Sequence, residues 1–171
     1  MDELIIIDGY NFIFNFIKAG SVNNDTLAAY RDRLIEDLVD YRYSKSREVV
    51  VIFDAKNSTN RKRSYHKHNG IRIIYSQGGE TADSVIEELV HKNKGNKKIF
   101  VVTSDYPQQK VIFKGNIYRK SSREFGIELK LAKKEIENNI DRVNQNNNSF
   151  YFFSNRLDKK ILDEFSKIRK S

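Results

Sequence analysis

The chain of 171 residues contains no cysteine. Disulfide cross-links and thiolate metal sites are therefore excluded. Long hydrophobic runs are missing too, and no apolar stretch reaches the length needed to cross a bilayer. The apolar residues near the N-terminus lack a basic leader and are interrupted by Asp8, so a cleaved secretory signal is not expected. Internal repeats are absent, and NQNNNS is the only low-complexity segment. A globular domain in the cytoplasm is the default expectation.

What the chain does have is charge. Charged residues make up 32% of it, hydrophobic residues 39%, and the formal net charge is +8. The length suits one domain with a sizeable core. A basic surface attracts polyanions, with RNA, DNA and ribosomes as the obvious partners. A Lys- and Asn-rich composition can reach the same net charge without any partner, so the distribution of the charge has to decide.

Leu4 to Ile7 is short, continuous and mostly β-branched, as expected of a strand buried on both faces. Asp25 caps an expected helix to about Tyr43, with Leu27, Tyr30, Leu34 and Leu38 at helical spacing. Val49 to Phe53 reads as a second buried strand. The polar stretch KNSTNRKRSYHKHNG reads as a basic loop, and Ile71 to Tyr75 as a third strand. Thr81 to Lys92 has a helical apolar side. Ile99 to Val102 is a fourth strand, and Ile117 lies in a short fifth strand or a turn. A long helical pattern runs from Ser122 to about Val143. Strands alternating with helices predict a mainly parallel sheet covered on both faces. The expected organisation is a domain over 1–143, followed by an Asn-rich linker and a C-terminal helix over 144–171 that packs on it.

Three of these apolar strands run into acids: Asp8, Asp54 and Asp105. In an open α/β sheet, ligands bind at the carboxyl ends of the strands. Any one such Asp is also an ordinary turn residue or helix cap. Glu80, Asp83 and Glu87 in ETADSVIEELV share one helical face. Asp83 borders the apolar side and is the preferred functional member, although acids in a first turn also complement the helix dipole. Clustered carboxylates stay ionised together only with a compensating cation. Oxygen donors favour Mg²⁺ or Mn²⁺, which can activate water and stabilise charge on a phosphate. Around the acids, Arg61, Lys62, Arg63 and Lys67 form a basic rim with Tyr65 among them, suited to phosphates and a stacked base. A solvated loop accounts for any one of these cations equally well. Arg119, Lys120 and Arg123 surround an expected helix start, where cations oppose the dipole and suggest an anionic partner or a nearby acid.

IIIDGYN, VIFDAK, ETADSVIEEL, VVTSDY and GNIYRKSSREF, in that order, resemble the YacP-like branch of the NYN domains, which are PIN-like ribonucleases. The resemblance runs from about Asp2 to Ile136. It implies a three-layer α/β/α sandwich with a mainly parallel central sheet. It also implies metal-dependent endonucleolytic cleavage of mRNA associated with the translating ribosome. By position, Asp8, Asp83 and Asp105 would form the acidic, metal-holding centre, with Asn11 orienting Asp8 or the attacking water through its amide. Asp54 and Glu80 would support them, and Ser104 would hydrogen-bond an acid or a phosphate. One departure follows SDY: the family often has an acid and then Gln, whereas this chain has Gln108 and Gln109. If that acid helps to hold the metal, this chain would bind it more weakly. The alternative reading is a non-catalytic RNA- or ribosome-binding module on the same fold.

Overall fold

A computed structural model of the chain describes residues 3–16, 24–54, 61–104 and 115–143. The chain divides into two compact units, Met1–Lys133 and Lys134–Ser171. The first holds a six-stranded sheet. Of the second, residues 134–143 are described, and they are helical. The expected linker and C-terminal helix lie outside the described residues.

In chain order the elements are β1 (Glu3–Asp8), α1 (Gly9–Phe16), α2 (Asn24–Lys45), β2 (Glu48–Phe53), β3 (Ser64–His68), β4 (Ile71–Tyr75), α3 (Ala82–Asn93), β5 (Lys98–Val102) and β6 (Ile117–Lys120). A helix over 122–143, α4, follows. The strand order is β3-β4-β2-β1-β5-β6. Every pair is parallel except β3 with β4. Parallel pairing needs a crossover, and helices supply the covering layers.

Alternation along the strands splits the core in two. Ile5, Ile7, Val49, Val51 and Ile73 meet Phe12 of α1, Leu34 and Leu38 of α2, and Phe125 and Leu129 of α4. Leu4, Ile6, Val50, Ile52 and Ile74 meet Val85, Ile86 and Val90 of α3 on the other face. The result is the expected α/β/α sandwich.

One local outcome differs from expectation, and two add to it. The stretch read as a basic loop contains β3, an edge strand whose side chains are mostly exposed. It carries no apolar alternation because neither of its faces is covered. Asn69 and Gly70, at φ 44° and 87°, form the two-residue turn into β4. Positive φ at both positions suits the tightest hairpins, and Asn-Gly is their sequence signature. Ile117 belongs to a true strand, β6, parallel to β5. GYNFIFNF, directly after β1, is helical.

Gly9 has a packing role. A Cβ there would lie 2.3 Å from the Phe53 ring and 3.0 Å from the Ile52 carbonyl oxygen. The missing side chain lets α1 start against β2. Helix propensity alone favours Ala over Gly by about 1 kcal/mol. We nevertheless expect Gly9→Ala to destabilise the fold by about 1–3 kcal/mol through overpacking. Urea unfolding of the two proteins checks this, and equal midpoints would contradict the contact.

Candidate active site at the carboxyl edge of the sheet

Asp8 closes β1, and its Oδ1 accepts the Asn11 main-chain N–H at 3.0 Å. The carboxylate thus caps the α1 N-terminus, where the dipole favours negative charge. Asp8 continues the Leu4–Ile6 side of β1, the face that α3 covers. Asp54 and Ser76 follow Ile52 and Ile74 on that same face. Asp83 is half-buried in the first turn of α3, behind the Thr81 cap. Strand pleat and helix start thereby bring Asp8, Asp54 and Asp83 to one edge and one face. Asp105 lies outside the described residues, as do Gln108 and Gln109.

The Asn11 side chain serves a different purpose from its main chain. Its Oδ1 accepts the Ser104 N–H at 2.8 Å and the Ser122 hydroxyl at 3.3 Å. The Ser104 and Ser122 hydroxyls are 2.9 Å apart, and Ser122 is fully buried. One carboxamide therefore joins α1, the end of β5 and the start of α4. The sequence marks Ser122 only as a helix start, since a serine there carries no signal of burial. Tyr10 packs edge-on against Phe53 and accepts a hydrogen bond from Arg31 at 2.8 Å.

A second polar group surrounds Glu80. The buried Ser76 hydroxyl donates to the Glu80 carbonyl at 2.9 Å and lies 3.5 Å from Asp54 Oδ1. Arg63 grips the Glu80 carboxylate with both prongs of its guanidinium, one at 2.8 Å, and reaches Glu88 at 2.5 Å. The Arg63 hydrogen bond holds the Glu80 carboxyl below its ordinary range. It is the same contact with Glu80 that raises the pKa of Arg63. Arg63 and Glu80 are thus occupied with each other, fastening β3 to the entry of α3.

The remaining cations divide by position. Arg61 and Lys62 are exposed just before β3, at the carboxyl edge because β3 runs antiparallel. Arg119 and Lys120 end β6 at that edge, and the exposed Arg123 lies in the first turn of α4. Lys120 pairs with Glu128 at 2.5 Å and stands over the Phe100 ring. Arg119 donates to the Thr103 carbonyl at 3.3 Å. The acid at the start of α4 is Glu124, which accepts the Ser121 N–H at 2.7 Å while Ser121 accepts the Glu124 N–H at 3.2 Å. This reciprocal capping box supplies the negative charge that the dipole calls for. Lys67 pairs with Arg72 near the opposite edge of the sheet, away from the other rim residues.

The donors at the edge are hard oxygens, in kind suited to Mg²⁺ or Mn²⁺. Among the described residues, no three acids or imidazoles gather into a metal-binding group. The Asn11 side-chain oxygen already accepts hydrogen bonds from Ser104, Ser122 and Asn15 within the fold.

A mainly parallel sheet between helical layers, with strands that end in acids at its carboxyl edge, defines a PIN-like, nuclease-type domain. The chain belongs to the YacP-like NYN domain family, whose model matches residues 5–170. Domains of this family are generally nucleases acting on RNA. The YacP protein of Bacillus subtilis (strain 168) is 30% identical over 144 residues, spanning 82% of this chain and 83% of the relative. The crystal structure of Rae1 (YacP) from Bacillus subtilis superposes with a TM-score of 0.73 at 28% identity, covering 100% of this chain and 96% of that one. The crystal structure of a tryptophan-to-leucine mutant of Rae1 matches with a TM-score of 0.69 at 30% identity, over 85% of both chains.

Two outcomes are expected. Asn11→Ala strands the Ser104 N–H and the buried Ser122 hydroxyl, and should cost about 1–3 kcal/mol in chemical denaturation. Glu80, with its folded pKa depressed, stabilises the fold fully above the unfolded value of 4.5, and this contribution fades as pH falls through the folded pKa. Glu80→Gln should therefore flatten the loss of stability on acidification below that value, as measured by unfolding midpoints across a pH series.

Proposed function

We propose that this chain is a metal-dependent endoribonuclease that hydrolyses mRNA phosphodiesters, with the translating ribosome as its setting. The supporting observation is that Asp8 and the Asp83-bearing start of α3 lie on one face of the carboxyl edge, flanked by exposed Arg61, Lys62 and Arg123. Membership of a family of RNA-acting nucleases gives the reaction class.

In this reading Asp8, Asp83 and Asp105 would hold a Mg²⁺ or Mn²⁺ ion. The ion, when bound, supplies the acidity that makes water a nucleophile and neutralises charge building on the phosphate. The chain's own residues do the positioning. The α1 N-terminus orients Asp8 through the Asn11 N–H. Asn11 and Ser122 fix Ser104 at the end of β5, next to the chain position of Asp105. Arg61, Lys62 and Arg123 neutralise flanking phosphates, and Arg63 keeps the rim seated on α3. In-line attack by water leaves a 5′ phosphate and a 3′ hydroxyl.

A second reading is a non-catalytic RNA-binding module. It is favoured by the absence of a three-acid group among the described residues. One assay separates the two. End-labelled mRNA, free and on translating ribosomes, is incubated with wild type or Asp8→Asn in Mn²⁺, and the ends are mapped. Cleavage should fall by roughly 10²-fold or more in Asp8→Asn while RNA affinity is retained. Intact RNA with wild type on both substrates would leave the binding module as the function.

A further inference from the structure

The opposite, amino edge of the sheet carries a second basic feature. Where α2 ends and the β3–β4 hairpin turns, a cleft of about 570 Å³ is lined by Arg42, Tyr43, Lys67, Gly70 and Arg72 among others. Among the described residues, Glu48 is the only acid in its lining. That carboxylate is shared: one oxygen pairs with Arg72 at 2.5 Å and the other with Lys97. Arg47, also in the lining, is committed to Glu3 at 2.5 Å and to the Tyr41 hydroxyl.

Positive charge in this cleft exceeds what the described residues neutralise. Lys67 and Arg72 are direct partners across the β3–β4 ladder. Like charges facing each other in an antiparallel pair are destabilising, so the pairing calls for an anion. Arg72 Nε is buried without an acceptor among the described residues. Arg42 and Lys67 have no ion pair among the described residues. The Arg42 guanidinium lies against Gly70, where a Cβ would come within 2.5 Å of Cζ. A cation in the last turn of α2 complements the helix dipole. That explains Arg42 alone and leaves the Lys67–Arg72 pairing unexplained.

We propose that this cleft binds the phosphodiester backbone of RNA, at a site separate from the acidic edge. Guanidinium forks match phosphate oxygens, and Lys adds a point charge. Tyr43, 81% exposed at the rim, offers a face for a base to stack on, which favours RNA over an acidic peptide. The strands between the two edges are five or six residues long, which separates the edges by roughly 17–20 Å. One phosphate cannot touch both. The cleft therefore holds a distant part of the substrate or a second, structured RNA, and its role does not depend on cleavage.

The test is fluorescence anisotropy of a labelled RNA oligonucleotide in EDTA across a salt series, with the RNA checked intact on a gel. Arg42→Ala/Lys67→Ala should weaken binding and lower the slope of log K against log salt by about 1.4, two single-strand phosphate contacts. Lys67→Gln alone, an exposed change, should lower it by about 0.7. Arg42→Lys/Lys67→Arg, which keeps both charges, should retain most of the slope. Thermal melts establish that the variants are folded. Unchanged slope and affinity in folded Arg42→Ala/Lys67→Ala would overturn the proposal. So would loss of polyglutamate binding with RNA binding intact, which would make the cleft an acidic-protein site. Wild type that binds RNA through these residues yet cuts none would sink the nuclease reading and leave this one standing.

Discussion

Leu4 to Ile7 are fully buried between two helical layers, and the strand ends on a carboxylate at each side, Glu3 and Asp8. Four apolar residues in a row would tolerate a slip of one position without exposing any of them. The flanking acids do not allow it, because a slip would drag one of them into the sheet interior, at a cost of several kcal/mol. Glu3 is anchored by Arg47 at 2.5 Å and Asp8 by the start of α1. Register follows from the two ends of β1, and with it the face that Asp8 occupies. Gly9 completes the arrangement by letting α1 begin against Phe53.

Much of the positive charge that suggests an RNA partner works within the scaffold. Arg63 ties β3 to α3 through Glu80 and Glu88, and Lys92 joins the same acid from one turn along α3. Lys120 and Arg47 converge on Glu128, with the Tyr41 hydroxyl between them donating to Glu128 at 3.0 Å. Burial, and then the Glu128 carboxylate beside it, push Tyr41 up to about 12, so it remains a neutral donor at any physiological pH. These contacts draw on cations that a sequence pattern counts as available. Exposed cations remain at both edges of the sheet, Arg61, Lys62 and Arg123 at one and Arg42 and Lys67 at the other.

The polar hub at Asn11 shows how the two halves of the edge are coupled. A single side-chain oxygen receives donors from residues 93 and 111 positions away. It holds the end of β5 and the start of α4 relative to Asp8. Asp8, Ser104 and Asp83 come from separate strands and a helix, so their mutual placement rests on such long-range contacts rather than on local geometry. The same logic applies to Ser76, which links the ends of β2 and β4 to the entry of α3.

The buried strands, the long helices and the acids that follow the strands were legible in the sequence, because apolar period and turn chemistry are local properties. So was the family, through five ordered motifs. β3 was not legible from its pattern, since an edge strand with both faces in solvent shows no alternation; only the Asn69-Gly70 turn marked it. The helix of α1 was hidden because an apolar GYNFIFNF segment fits a strand or a helix equally well. The sequence by itself determined which residues could carry charge to the sheet edges. Tertiary structure alone decided which cations pair internally and which face outward, because a salt bridge such as Arg63 with Glu80 depends on where separate elements meet.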